Sequence, residues 1–351
     1  MENPAPLTLR PLRLGELLDQ AIRLYRRNFI TFVGIVAMVY VPLMILQIAS
    51  TALMTSSLDT LTSSPEQIFT NYAYWGGMLS SLVVAFLQFI FVQGIATGAL
   101  TRAVADNYLG KPTSILGAYR GIGKSWLPLL GALLLVGLLS IAFVFWWIII
   151  PCIGWVTGLG MLVVLLTAVS PMVAPVVVLE GQGVISSVRR AWSLVRRRFW
   201  PVLGYVFVLY LFSMLIVTGP SLIINAALAG TLGAFSDPTS GLILRTIVQS
   251  LVQLIAILIY YPLQMAAFTL IYFDLRVRTE GFDIALLTVD ASDQANIDQV
   301  MAAPAAVTNE RLIAGSDLGN FAILTLGAAG IYIFFISIIM GSVFLLPSLF
   351  R

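Results

Sequence analysis

The sequence predicts an all-α fold: a polytopic membrane helical bundle of about seven transmembrane helices, six in three parallel two-helix units plus one at the C-terminal end, with cytoplasmic amphipathic interfacial helices. Three observations carry this expectation. The 351 residues are 59% hydrophobic and 10% charged, with a mean hydropathy of +0.98, which leaves too little polar surface for a soluble domain. Six runs, 28–58, 67–101, 125–179, 199–236, 246–273 and 318–350, contain no Asp, Glu, Lys or Arg. A basic helical element also recurs along the chain.

A spanning helix needs about 20 apolar residues, so each run is long enough. The run 125–179 is 55 residues long and carries Pro151, Cys152 and Gly154 near its middle, so it reads as two helices joined by a tight turn. Seven spans follow, centred near residues 42, 87, 138, 166, 214, 259 and 333. The opening MENPAPLTLR has an early acid and prolines rather than a basic start and an apolar core, so the first span is expected to be retained. Cys152 is the only cysteine, which excludes an intrachain disulfide; it is expected to be a small buried packing residue.

Charge placement predicts orientation. Of the 19 basic residues, 17 fall on one side of these spans; only Arg245 and Arg351 fall on the other. The positive-inside rule then expects a cytoplasmic N-terminus. The loop 55–74, with Asp59 and Glu66 and no base, is expected outside.

The arginines belong to a repeat. LLDQAIRLYRRNFITFVG (17–34) matches SVRRAWSLVRRRFWPVLG (187–204) at an offset of 170, pairing Ala21 with Ala191, Arg26 with Arg196, Arg27 with Arg197, Phe29 with Phe199 and Gly34 with Gly204. A weaker copy, AYRGIGKSWLPLLG, places Lys124, Trp126 and Gly131 at the corresponding positions. Each copy precedes two spans, which divides residues 1–283 into units 14–105, 113–180 and 184–283. A cytoplasmic linker, 284–320, with one short helix and an additional C-terminal helix, 321–351, peripheral to the bundle, complete the expected organisation. The units run parallel, unlike the inverted repeats of many transporters.

Wound at about 100° per residue, the first copy gathers Leu14, Leu17, Leu18, Ala21, Ile22, Leu24, Tyr25 and Phe29 opposite its arginines. In the last copy Val184, Ile185, Val188, Trp192, Val195 and Phe199 form the stripe. Such helices are expected to lie in the interface plane, apolar faces in lipid. Candidate contacts to anionic lipid are Arg23, Arg26, Arg27, Lys124, Arg189, Arg190, Arg196, Arg197 and Arg198. Anionic lipid attracts each by about 1 kcal/mol, whereas the bilayer centre costs an arginine about 2.5–3.5 kcal/mol. Nucleic acid is not expected, because the aromatics lie on the apolar stripe.

The chemistry is sparse. Without histidine, Ser-His dyads, HExxH zinc motifs and His-ligated metals are excluded, and no GxSxG elbow, P-loop or GxGxxG occurs. No cofactor or metal is expected. The polar residues inside spans are uncharged, and Gln47, Gln88, Gln249, Gln253 and Gln264 are candidate intramembrane contacts, either hydrogen bonding between helices or lining a polar cavity. Gly94-x-x-x-Gly98 and Gly154-x-x-x-Gly158 permit close helix approach. Pro171 and Pro175 should kink or unwind the fourth span.

Four stretches in order, RPLRLGELLDQAIRLYRRNF, GALTRAVADNYLGKPTSILGAYR, APVVVLEGQGVISSVRRAWSLVRRRFWPVLG and LIYFDLRVRTEGFDIAL, resemble the bacterial glycerophosphoryl diester phosphodiesterase membrane domain family over about residues 8–287. The resemblance implies a six-span domain that some members carry fused to a catalytic barrel. After Asp283 this chain has 68 residues, against ~250 for a (β/α)₈ barrel, so a membrane domain and no phosphodiesterase site is expected. In the last stretch Asp274 with Arg278 and Arg276 with Glu280 are i,i+4 pairs of modest expected effect, before Gly281 ends the helix.

These readings converge on a non-enzymatic scaffold or accessory for membrane-associated proteins or lipids. Its expected partners are anionic lipids on the cytoplasmic side, with a protein partner or a second copy of the chain beside them. The alternative is a transporter or permease-like conduit for an amphiphile, although the Px[DE]xx[KR] signature of mitochondrial carriers is missing.

Overall fold

The computed structural model describes residues 10–56, 71–231, 238–287, 299–302 and 314–330, with residue 337 in addition. Among the described residues all regular structure is helical. The helices are α1 (Leu14–Arg27), α2 (Phe29–Ser56), α3 (Tyr72–Tyr108), α4 (Ile115–Gly121), α5 (Trp126–Ile149), α6 (Ile153–Glu180), α7 (Val184–Arg197), α8 (199–231), α9 (Pro238–Glu280), α10 (Phe282–Leu287) and α11 (315–330). Six of these, α2, α3, α5, α6, α8 and α9, are long and apolar enough to cross a membrane. The protein is an all-α polytopic bundle. Of the seventh expected span only 321–330, inside α11, and residue 337 are described; the rest lies outside the described residues, as do residues 57–70 of the expected outer loop and most of the linker beyond α10.

A short helix precedes each pair of spans: α1 before α2 and α3, α4 before α5 and α6, α7 before α8 and α9. The first is set by local rules. Glu16 in its opening turn accepts a hydrogen bond from the Arg13 amide at 3.0 Å, and Arg26 and Arg27 occupy the last turn, so the charges oppose the helix dipole at both ends. Its residues Leu17, Ala21 and Tyr25, spaced four apart, are buried, and the helix packs against α9. This corrects the expectation of a stripe wholly immersed in lipid: protein covers its centre, while Leu14 and Phe29 at its ends stay exposed.

The six spans do not share the core equally. Within the most apolar window, 67% of α6 and 56% of α9 is buried, against 22, 17, 11 and 17% of α2, α3, α5 and α8. The end of α9 holds the segment before α1, and the end of α6 leads directly into α7. The peripheral ones turn side chains such as Leu134, Leu138, Ile141, Phe145 and Ile148 of α5 outward, the pattern of a lipid-facing surface.

The repeat glycines explain how successive units stack. A Cβ at Gly34 of α2 would sit 2.5 Å from Ile115, the first residue of α4, and one at Gly131 of α5 would sit 2.8 Å from Val184, the first residue of α7. The Tyr119 hydroxyl donates to the Ile35 carbonyl at 2.6 Å beside the first of these contacts. Each unit's glycine thus receives the next unit's short helix. Gly204, in the last copy, has no such neighbour within 4 Å.

Among the described residues three π-helical segments interrupt the spans: Phe89–Ala96, Leu165–Val169 and Met214–Thr218. Two of them end just before a proline. The Ser170 and Gly219 amides reach back five residues to Leu165 and Met214, and Pro171 and Pro220 follow, residues that lack the N–H an α-helix would use. The break expected at Pro171 and Pro175 therefore takes the form of a π segment that leaves the helix continuous. At the expected turn Cys152 adopts φ +60° and is exposed, which corrects its reading as a buried packing residue: the reversal of direction puts it at the loop tip. Gly154 and Gly158 then pack α6 on α5, where a Cβ would lie 2.3 Å from the Trp146 carbonyl oxygen and 2.9 Å from the Trp147 Cα.

The start of the C-terminal helix is not peripheral. A Cβ at Gly160 of α6 would lie 2.2 Å from the Phe321 carbonyl oxygen, so the α11 backbone rests directly on the glycine. The Gly160 amide donates to Thr325 Oγ1 at 2.8 Å, Arg196 of α7 pairs with Asp317 at 2.9 Å, and Phe321 stacks on Trp192 and Phe199.

Candidate functional site

The ends of α6 and α9 have the same local grammar. Each closes on Glu-Gly, Glu180-Gly181 and Glu280-Gly281, with the glycine in the left-handed region at φ +67° and +64°. The αL glycine turns the chain and leaves the glutamate at the helix tip. Both carboxylates face one side chain, Arg190 of α7.

Arg190 Nε lies 3.1 Å from Glu180 Oε2, and its Nη1 lies 2.6 Å from Glu280 Oε1. Arg276 of α9 closes the circuit. Its Nε donates to Glu280 Oε2 at 3.1 Å and lies 3.9 Å from Glu180 Oε1. Its Nη1 donates to the Tyr272 hydroxyl at 3.2 Å and to the Met301 carbonyl at 2.9 Å, and its guanidinium sits over the Phe282 ring, 4.4 Å from the centroid. Tyr272 in turn donates to Glu180 Oε1 at 2.8 Å. The Glu180 side chain is 0% exposed, Arg276 3%, Glu280 4% and Arg190 12%. Burial works against the charge of Arg190, but the carboxylates of Glu280 and Glu180 outweigh it and hold the guanidinium well above its ordinary pKa. Two cations and two anions bond to one another, to a tyrosine and to a backbone carbonyl. Chemically this is a closed brace.

A second pair lies nearby on α9. Asp274 and Arg278 meet at 2.8 Å, and both also grip the backbone of Leu12: its amide donates to Asp274 Oδ1 at 2.8 Å, and Arg278 Nη2 donates to its carbonyl at 2.5 Å. The segment before α1 is thereby clamped to the end of the last span. The expected i,i+4 pairs are both present, and each is also joined to a distant element, Asp274 and Arg278 to Leu12, and Arg276 and Glu280 to the Glu180–Arg190 pair.

The candidate lipid-contacting residues separate into two groups. Arg190 and Arg196 are tied to carboxylates, whereas Arg23, Arg26, Arg27, Lys124, Arg189 and Arg197 are exposed, and Arg198 is half-buried. The glutamines do not gather. Gln47 donates to Thr51 on its own helix at 3.4 Å; Gln88 joins Gln93 and Tyr40 around a cavity of about 240 Å³; Gln249 and Gln264 are half-buried and Gln253 is exposed on α9. Among the described residues no three His, Cys, Asp or Glu side chains gather as a metal site.

Beside the brace runs an apolar groove of about 350 Å³ between α5, α6, α7 and α11. Leu139 and Phe143, Leu165, Val188 and Trp192, and Phe321 line it, and Arg189 is the one charged residue among its walls. Helix α7 serves both features. Its face Ser187, Ala191, Leu194 and Val195 is buried in the bundle, while Ile185, Val188 and Trp192 turn to the groove. The stripe expected on α7 is therefore divided between two environments.

Sequence reasoning missed Glu180, Glu280 as partner of Arg190, and Tyr272. The available signal was the Glu-Gly ending shared by two spans, at positions where acidic residues interrupt a basic side. Comparison with curated proteins and with solved structures finds no match. A family model described as the membrane domain of glycerophosphoryl diester phosphodiesterase matches residues 149–331, just over half of the 351 residues. The matched segment holds both central helices, the whole ion-paired brace and every groove wall but α5. The chain belongs to the family of membrane domains of glycerophosphoryl diester phosphodiesterase.

Proposed function

We propose that this protein is a non-enzymatic scaffold or accessory of the bacterial inner membrane, N-terminus cytoplasmic, that gathers anionic lipids and membrane-associated proteins at its basic end. One observation carries this reading: the division of the arginines. Arg190, Arg196, Arg276 and Arg278 are held by carboxylates and brace the helix ends. Others, Arg23, Arg26 and Arg27 on α1 among them, stand exposed on a helix whose apolar side is already fixed to α9. A rigid helix that presents several cations at one level suits an anionic headgroup layer. The scattered glutamines favour this reading over a conduit, which needs a continuous polar path.

Native mass spectrometry of gently solubilised protein in mixed phosphatidylglycerol and phosphatidylcholine tests it. Replacing Arg23, Arg26 and Arg27 together with glutamine should lower phosphatidylglycerol retention about a hundredfold, at ~1 kcal/mol for each basic residue near an anionic surface. Retention equal to wild type would count against the reading. Hydrolysis of glycerophosphodiesters by the purified protein, abolished by a point substitution in this chain, would overturn its non-enzymatic part.

A further inference from the structure

We propose that the groove between α5, α6, α7 and α11 is a binding site for one acyl chain of an anionic glycerophospholipid, whose phosphate pairs with Arg189. The proposal deepens the function proposed above and rests on it only in taking membrane lipid as the partner.

The walls fit a hydrocarbon chain. At about 350 Å³ the groove lies at the lower end of the ~300–1,000 Å³ typical of small-molecule sites, and its lining side chains, Arg189 apart, are aliphatic or aromatic. Two of the walls, α5 and α6, are spans, so the groove opens where acyl chains are the surrounding solvent. A branched or aromatic surface that offers shape to a flexible chain holds it longer than a smooth helix face does.

Charge complementarity selects the lipid. Arg189 and Arg190 are neighbours in sequence with opposite situations. Arg190 turns inward to Glu180 and Glu280, whereas Arg189 is exposed, lines the groove and meets no carboxylate among the described residues. A guanidinium presents a fork of N–H donors that matches a phosphate. Its place on α7, one turn before Trp192, sets it at the basic end of the groove, where a headgroup joins its chains.

The site is also built by α11. Phe321 forms one wall, and its helix is pinned by Gly160, Thr325 and the Arg196–Asp317 pair rather than lying loosely against the bundle. The α11 wall of the groove is therefore held in place by the bundle.

The test counts lipids that survive a detergent wash, by native mass spectrometry, with phosphatidylglycerol and phosphatidylcholine of equal chain length as probes. Wild type should keep one wash-resistant lipid, with phosphatidylglycerol preferred. Val188→Trp and, from the facing helix, Leu139→Trp should each remove it by filling the groove, and thermal melting reports whether either variant is disturbed in folding. Arg189→Gln, an exposed change that leaves the walls intact, should keep the lipid but lower the preference for phosphatidylglycerol about fivefold, the ratio equivalent to ~1 kcal/mol for one surface cation. A wash-resistant lipid at wild-type occupancy in a folded groove-filling variant, or an unchanged preference in Arg189→Gln, would overturn the proposal. The α1 triple variant separates the two ideas. It should lose loosely held phosphatidylglycerol yet keep the groove lipid; if only the wider reading fails, the triple variant loses nothing while the groove variants still do.

Discussion

Glu180→Ala should lower the stability of the folded protein by about 3–5 kcal/mol, the cost of removing one partner from a buried ion pair. The reasoning follows from what remains. Arg190 and Arg276 would then share Glu280 alone, so two largely buried guanidinium groups face one carboxylate, and Tyr272 loses the acceptor of its 2.8 Å hydrogen bond. Water reaches a site with 0% side-chain exposure only if the ends of α6, α7 and α9 separate. Glu180→Gln should cost less, because its amide oxygen still accepts from Tyr272, but it leaves the same charge imbalance. Thermal unfolding in a mild detergent checks both; a melting temperature for Glu180→Ala equal to that of wild type would mean that the cluster does not brace these helices.

Gly160→Leu should displace α11 from the bundle while leaving the six spans assembled. The Cβ alone would lie 2.2 Å from the Phe321 carbonyl oxygen and 2.8 Å from its carbonyl carbon, and backbone, unlike a flexible side chain, cannot move aside without moving the helix. Overpacking of this kind costs about 1–3 kcal/mol where the structure can yield. Here the attachment that yields is the one between α6 and α11. With Cys152 replaced by serine, cysteines at Arg196 and Asp317 should be joined by a short bis-maleimide in the wild-type background and should lose that cross-link when Gly160→Leu is added. Equal cross-linking in both backgrounds would contradict the packing.

Much of this was legible in the sequence, and the limits have physical causes. Spans declare themselves because about 20 apolar residues are a length requirement that composition meets directly. The i,i+4 pairs on α9 and the stop at Gly281 are equally local, and the structure contains them. The rank order of the spans was hidden. All six are similarly apolar, since lipid and protein interior are both apolar solvents, so nothing in the pattern of α6 or α9 marks them as central. The brace joins Glu180 to Arg190 and Arg190 to Glu280, a contact across some ninety residues that depends on how the units stack. Helix α7 shows the same limit at finer scale: winding finds its apolar residues but cannot divide them between bundle and groove. The π segments before Pro171 and Pro220 were half visible, because proline announces a missing donor but not how the helix absorbs the loss.

The central claim is that the arginines divide into those that brace the fold and those that face outward. Melting temperatures of a set of single arginine-to-glutamine variants test it most directly. Arg190→Gln, Arg276→Gln and Arg278→Gln should each lower the transition by several degrees, while Arg23→Gln, Arg26→Gln, Arg27→Gln and Arg189→Gln should stay close to wild type, as surface changes within about 0.5 kcal/mol do. A uniform response across the two groups, whether all tolerated or all damaging, would contradict the division on which the account rests.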